Sequence, residues 1–363
     1  MINYLNILIY FLSFSAILIF LILIVFHLKL KYNELQIETI QEEYSAKISS
    51  YMEENINLEE AANYFTGDIN YVFLKEFFNP YLKKYEGKKF KRIKTLIHRI
   101  GLIEYYRSKL KSKNRKEKLR AASFLGKLRD SDSLDNIAKL FDSNKKLNII
   151  TAAWAISETG ETRYLKPVIK ALFNKSNMTY EAITELLVNF GEEMCDDLIK
   201  YINLYFDSKS YFINNFKSED FKVLSVFVDI FGFFRYEKSL KVLVKLLDKN
   251  IDPEIKIHIF KTLFKIGKPV NADLLKFLKS DNWVIRSQCT KYIGKIGAAQ
   301  YSSYLVRLLK DENWWVGYYA ARSLWKMNKI DIMREIIINN KPGAKMCEYI
   351  FAQHNFKYLQ EGQ

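Results

Sequence analysis

The most constraining feature of this chain is a short period in its C-terminal two-thirds. The stretch "DNWVIRSQCTKYIGKIG" (281–297) returns further along as "ENWWVGYYAARSLWKMN" (312–328). Asn282 and Trp283 recur as Asn313 and Trp314, Ile285 as Val316, Cys289 as Ala320 and Ile293 as Leu324. Earlier copies are "EIKIHIFKTLFKIG" (254–267), "YEAITELLVNFG" (180–191) and "EKLRAASFLGKL" (117–128). Read backward, Gly297 has counterparts at Gly267, Gly232, Gly191, Gly160 and Arg129, with the widest step between Gly232 and Gly191. A period of about 30 residues points to stacked repeats and excludes a single closed core.

Within each copy two helices are expected. The first carries apolar residues at four-residue steps, such as Ile285, Cys289 and Ile293, and stops near a Gly suited to a helix C-terminus. The second follows as "SSYLVRLLKD", "DLLKFLKSD" or "KVLVKLLDK", closed by Asp311, Asp281 or Asp248. A pair of this size cannot bury its own apolar faces, and stacking pairs side by side does. With only 13 Gly and 5 Pro in 363 residues, the expected class is all-α, an α-solenoid of about seven helix pairs.

The pattern D-x-x-V-R-x-x-A-x-x-x-L-G-x-I-G followed by L-x-x-L-L-x-D resembles the short bacterial HEAT-like repeat of phycobilin-lyase-type proteins. It is clearest at 281–328 and 117–142 and weakest at 178–232. The resemblance implies a buried ladder joining an Arg to the Asp of the preceding turn. Arg286 with Asp281 fits it, Lys256 and Lys118 substitute for the Arg, and Gly317 ends it. Trp314 aligns with Trp283 one repeat earlier, at the helix-pair junction, so both are expected to act as wedges between repeats. The whole layout resembles membrane-anchored HEAT-repeat proteins of bacteria, some of which accompany membrane glycosyltransferases or other envelope machinery.

Residues 7–26, "ILIYFLSFSAILIFLILIVF", carry no charge. At about 1.5 Å per residue such a helix covers about 30 Å, the hydrocarbon thickness of a bilayer. No Lys or Arg precedes the run and no Ala-x-Ala site follows it, so an anchor is expected and not a cleaved signal peptide. Lys29 and Lys31 follow at once, which places the C-terminal part in the cytoplasm of a single-pass protein of the bacterial inner membrane. Three unpaired cysteines, Cys195, Cys289 and Cys347, agree with a reducing compartment.

The net charge of +15 is unevenly spread. Residues 34–60 hold eight Glu and one Lys, whereas 88–120 hold fourteen Lys or Arg and two Glu. The expected organisation is an anchor (1–28), a helical stalk (29–87), a basic shoulder (88–116), the solenoid (117–353) and a tail (354–363). Leu30, Ile37, Ile40, Tyr44, Ile48 and Tyr51 form a helical stripe that packs on its own chain or pairs two copies through a short coiled coil. Phe90, Ile93, Ile97, Ile100 and Ile103 form a second stripe. Lys109, Lys111, Lys113, Arg115, Lys116 and Lys118 would then face solvent, an anionic membrane or, third in order for a tethered chain, nucleic acid.

No P-loop, Gly-rich dinucleotide turn, G-x-S-x-G or metal-ligand spacing occurs. No catalytic residue, metal or cofactor is expected. HEAT-fold lyases and DNA glycosylases are the enzyme alternative that the resemblance implies. The leading expectation is a non-enzymatic membrane-tethered scaffold for a protein partner. Its contact candidates are Trp315, Tyr318 and Tyr319, the last two aligned with Ser287 and Gln288 on the outward side unless the final helix (344–353) covers them.

Overall fold

The computed structural model describes residues 40–66, 70–207 and 220–354. The apolar run 7–26, the stalk up to residue 39 and the end of the tail lie outside the described residues. Among the described residues every regular element is a helix, and none is long and apolar enough to cross a membrane. The chain divides into two compact units, one ending at Leu128 and the other starting at Arg129.

The first unit contains α1 (40–52), α2 (Leu58–Phe65), α3 (Tyr71–Lys84), α4 (Gly87–Arg99), α5 (Leu102–Leu110) and α6 (Arg115–Lys127). The described end of the stalk stripe packs on its own chain: Ile48 and Tyr51 are buried, and the Tyr44 ring meets Phe65, Phe77 and Phe73 at 4.7, 5.5 and 6.1 Å, while Leu30 and Ile37 lie outside the described residues. Phe90, Ile93, Ile97, Ile100 and Ile103 are buried as a second stripe. Sequence-separated opposite charges meet here. Arg99 forms a two-point contact with Glu59 at 2.7 and 2.8 Å, and Arg92 reaches Glu54 at 3.0 Å. Part of the basic block is therefore matched by the acidic segment that precedes it.

The second unit contains α7 (Leu134–Ala138), α8 (Lys146–Ser157), α9 (Leu165–Lys175), α10 (Tyr180–Val188), α11 (Met194–Asp207), α12 (Asp220–Phe234) and α13 (Leu240–Leu247). It continues with α14 (Pro253–Ile266), α15 (Leu275–Leu278), α16 (Trp283–Ile296), α17 (Ser302–Leu308), α18 (Trp314–Lys326), α19 (Ile330–Ile338) and α20 (Ala344–Gln353). The even-numbered helices from α8 to α20 stack in chain order, and each odd one packs beside its even neighbour.

The repeat is written in its caps. Asp252, Asn282 and Asn313 each accept the backbone N–H two residues on, at 2.8, 2.9 and 3.1 Å, so the recurring Asn is an N-cap. At the other end, left-handed residues stop α8, α10, α12, α14, α16 and α18 at Gly160, Gly191, Arg235, Gly267, Gly297 and Asn328. Gly232 is thus not the counterpart of Gly297, because Arg235 takes that place with φ 51°. Gly232 lies inside α12, where a Cβ would meet Thr262 Oγ1 at 2.7 Å, and its lack of a side chain lets α14 approach. Thr262 Oγ1 uses that approach to donate to the Val228 carbonyl at 2.8 Å. The same device recurs where Ser323 Oγ donates to the Thr290 carbonyl at 2.9 Å.

Candidate functional site: a charged groove across five helices

The even-numbered helices α10 to α18 line one groove of about 1080 Å³. Its floor is partly apolar, with Val188, Phe233 and Phe264, and Phe233 is 61 % exposed. Its two ends differ in charge. Glu181 and Glu185 on α10 stand at one end, joined there by Lys222 on α12 with its Nζ 5.4 Å from the centre of the Tyr180 ring, and Lys261, Lys265, Lys291, Arg322 and Lys326 on α14, α16 and α18 at the other.

The cations follow the repeat. Lys261 and Lys265, Lys291 and Lys295, and Arg322 and Lys326 are each four apart, and each pair falls one repeat after the last. Four residues of helix rise about 6 Å, so each pair lies on one helix face. Among the described residues none of the six makes an ion pair. Lys291 Nζ sits 3.8 Å from the centre of the Tyr319 ring, and Lys326 Nζ 5.7 Å from that of Phe264. Burial, with Arg322 and Lys295 nearby, holds the Lys326 ammonium below the usual lysine range.

Between the two ends His258 is braced, with Nδ1 2.8 Å from Asp229 and Nε2 3.5 Å from Glu254. The three cysteines are buried. Burial pushes Cys195 and Cys347 up to about 12 and Cys289 well above the ordinary thiol range, so none is a thiolate nucleophile at neutral pH. Among the described residues no group of His, Cys, Asp and Glu is placed to hold a metal ion.

The expected contact residues separate. Tyr319 lines the groove and stacks on Trp315 at 5.9 Å and 23°. Tyr318 turns toward the chain end, stacking on Trp314 at 5.0 Å and donating to Gln353 Oε1 at 3.4 Å on α20. The outward expectation for the aligned pair fails at Ser287 and holds at Gln288. Ser287 is buried, with its hydroxyl donating to the Val284 carbonyl, and Gln288 lines the groove. Trp283 and Trp314 are not wedges either: they are 41 % and 48 % exposed, and Trp315 is 47 % exposed. Trp283 and Trp314 directly follow the N-caps, where the first helical residue has no preceding turn to pack on.

The Arg ladder also changes partner. Arg286 is 8 % exposed and grips Asp311 of the following turn through two bonds of 2.9 and 2.8 Å. Asp281 contributes its carbonyl, which accepts from Arg286 Nη1 at 3.1 Å beside the Ser280 carbonyl at 2.8 Å. No hydrogen bond or ion pair joins Lys256 to Asp281 among the described residues. The rung falls at one junction because guanidinium reaches carboxylate and carbonyls together, which a single ammonium cannot do. A tie that sequence reasoning missed links neighbouring repeats through tyrosine: Tyr164 donates to Asp135, and Tyr236 to Asp196 at 2.5 Å. Both tyrosines occupy short turns just after the left-handed stops, and that shared position was the available signal.

In the first unit, Lys109 pairs with Glu117 at 3.4 Å, and Lys111, Lys113, Arg115 and Lys116 are exposed or nearly so while Lys118 is half-buried. No family model and no curated protein matches the chain. Among solved structures it is similar to two engineered proteins, each at 17 % identity. One alignment has a TM-score of 0.31 and covers 62 % of this chain and 96 % of the other; the second has 0.32, with 78 % and 74 %.

Proposed function

We propose that this chain is a non-enzymatic binding protein: a HEAT-like α-solenoid, tethered to a bacterial inner membrane by residues 7–26, that seats a segment of a protein partner in the α10–α18 groove. The supporting observation is the groove itself, which crosses five stacked helices and leaves Phe233 largely bare on its floor. Apolar floor and charged walls suit a peptide segment with alternating anchors. The three cysteines are buried and none lines the groove, so no thiol is offered to an occupant there.

A photo-crosslinking residue in place of Phe233, with Leu147 on α8 as an exposed control outside the groove, tests this in intact cells. A discrete protein adduct from the Phe233 position alone is expected. No adduct there, or the same adducts from both positions, overturns the proposal.

A further inference from the structure

The groove is bipolar, and that property selects its occupant. Three neighbouring helices line it with five cations, Lys261, Lys265, Lys291, Arg322 and Lys326, that pair with no carboxylate among the described residues, while at the opposite end Glu181 and Glu185 stand four apart and, with Asp229 and Glu254, outnumber Lys222. Like charges gathered this way repel, and the lowered proton affinity of Lys326 follows from burial beside Arg322 and Lys295. A surface that keeps such repulsion, when the same fold pairs Arg286 with Asp311 nearby, is matched to a charge arriving from outside.

We infer that the occupant is a protein segment of split charge, with acidic side chains against α14, α16 and α18 and basic side chains against Glu181 and Glu185. This rests on the reading of the groove as a partner site. Adjacent helix axes lie about 8–10 Å apart, so the three cationic helices span only about 20 Å. A uniform polyanion laid along all five helices would meet Glu181 and Glu185 on α10 and the free edges of Asp229 and Glu254. Nucleic acid is therefore disfavoured by the same groove that attracts an acidic peptide. Lys291 held over Tyr319, itself stacked on Trp315, gives the cationic end an aromatic wall against which the stems of acidic side chains pack.

The test uses the full-length protein in detergent and three labelled probes of equal length, about 24 residues, which is about 36 Å as a helix. One peptide carries Glu and Leu in one half and Lys and Leu in the other. A second has the same composition with the charges alternating. The third is a single-stranded oligo-dT. The split-charge peptide is expected to bind about tenfold tighter than its alternating isomer and than the oligonucleotide, and to weaken as salt is raised. Lys291→Glu combined with Arg322→Glu should erase that preference, and Glu181→Lys combined with Glu185→Lys should reduce it. Both pairs lie on helix surfaces away from the core, and circular dichroism checks that the fold is kept. Equal binding of the two peptides, tighter binding of oligo-dT, insensitivity to charge reversal, or binding of none of the probes overturns the inference. Crosslinking from Phe233 would still report a partner in those cases, so failure of the charge argument is separable from failure of the groove.

Discussion

Both units hold matched and unmatched cations but place the unmatched ones differently: in the first, Lys111, Lys113 and Lys116 stand exposed without an ion pair among the described residues. In the first, which holds the densest basic block, Arg92, Arg99 and Lys109 meet Glu54, Glu59 and Glu117. In the second, where the sequence excess is milder, five cations of α14, α16 and α18 gather along one groove without pairing to any carboxylate among the described residues. Local density of Lys and Arg thus does not tell which cations are matched. What matters is whether the fold supplies the counter-charge.

Three substitutions sharpen the contrast between matched and unmatched cations. The largest effect belongs to Arg286→Ala, which strands the buried Asp311 carboxylate and two turn carbonyls. A loss of about 3 kcal/mol is expected in chemical unfolding, as for a broken buried pair. A change within error would mean that Asp311 is re-solvated without cost and that the rung is decorative.

Lys326→Gln comes next and has the opposite sign. The folded chain holds this ammonium below its ordinary range, so in the pH window between the folded and unfolded values the unfolded chain binds the extra proton, and stability falls as pH drops through that window. At neutral pH the variant should therefore unfold at a higher midpoint than the parent. The gap should close as alkaline pH strips the proton from Lys326. A variant less stable than the parent at neutral pH would show that stacking on Phe264 outweighs repulsion by Arg322 and Lys295.

Arg99→Ala should have the smallest effect, because its pair with Glu59 is exposed at both ends. A slight drop in midpoint at low salt, vanishing at high salt, is expected. A loss matching that of Arg286→Ala would erase the distinction between surface and buried pairing.

How far the sequence could be read depends on whether a feature is local. Gly267 and Gly297 as stops and the buried line Ile285, Cys289, Ile293 follow from spacing within one helix, whereas the Asn282 and Asn313 caps stood in the sequence only as a recurring Asn-Trp pair. Gly232 misled because two glycine roles look alike in one dimension: one frees φ at a helix end, the other clears space for a neighbouring helix. Trp283 and Trp314 misled because a repeated aromatic suggests burial, yet its place directly after a cap turns it to solvent. Tyr319 was singled out as a contact residue, but its partner Lys291 belongs to another helix, one repeat earlier.

The sequence alone determined the all-helical class, the short period of the second unit, most helix ends and the apolar face of each repeat, since these rest on backbone propensity and side-chain spacing over one or two turns. Only the tertiary structure decided which cations meet a carboxylate, which aromatic rings stay bare, and that Glu181 and Arg322 face one groove from helices α10 and α18, far apart in the chain. Charge pairing acts through space over a few ångströms, and a helix stack brings together residues that no local pattern connects.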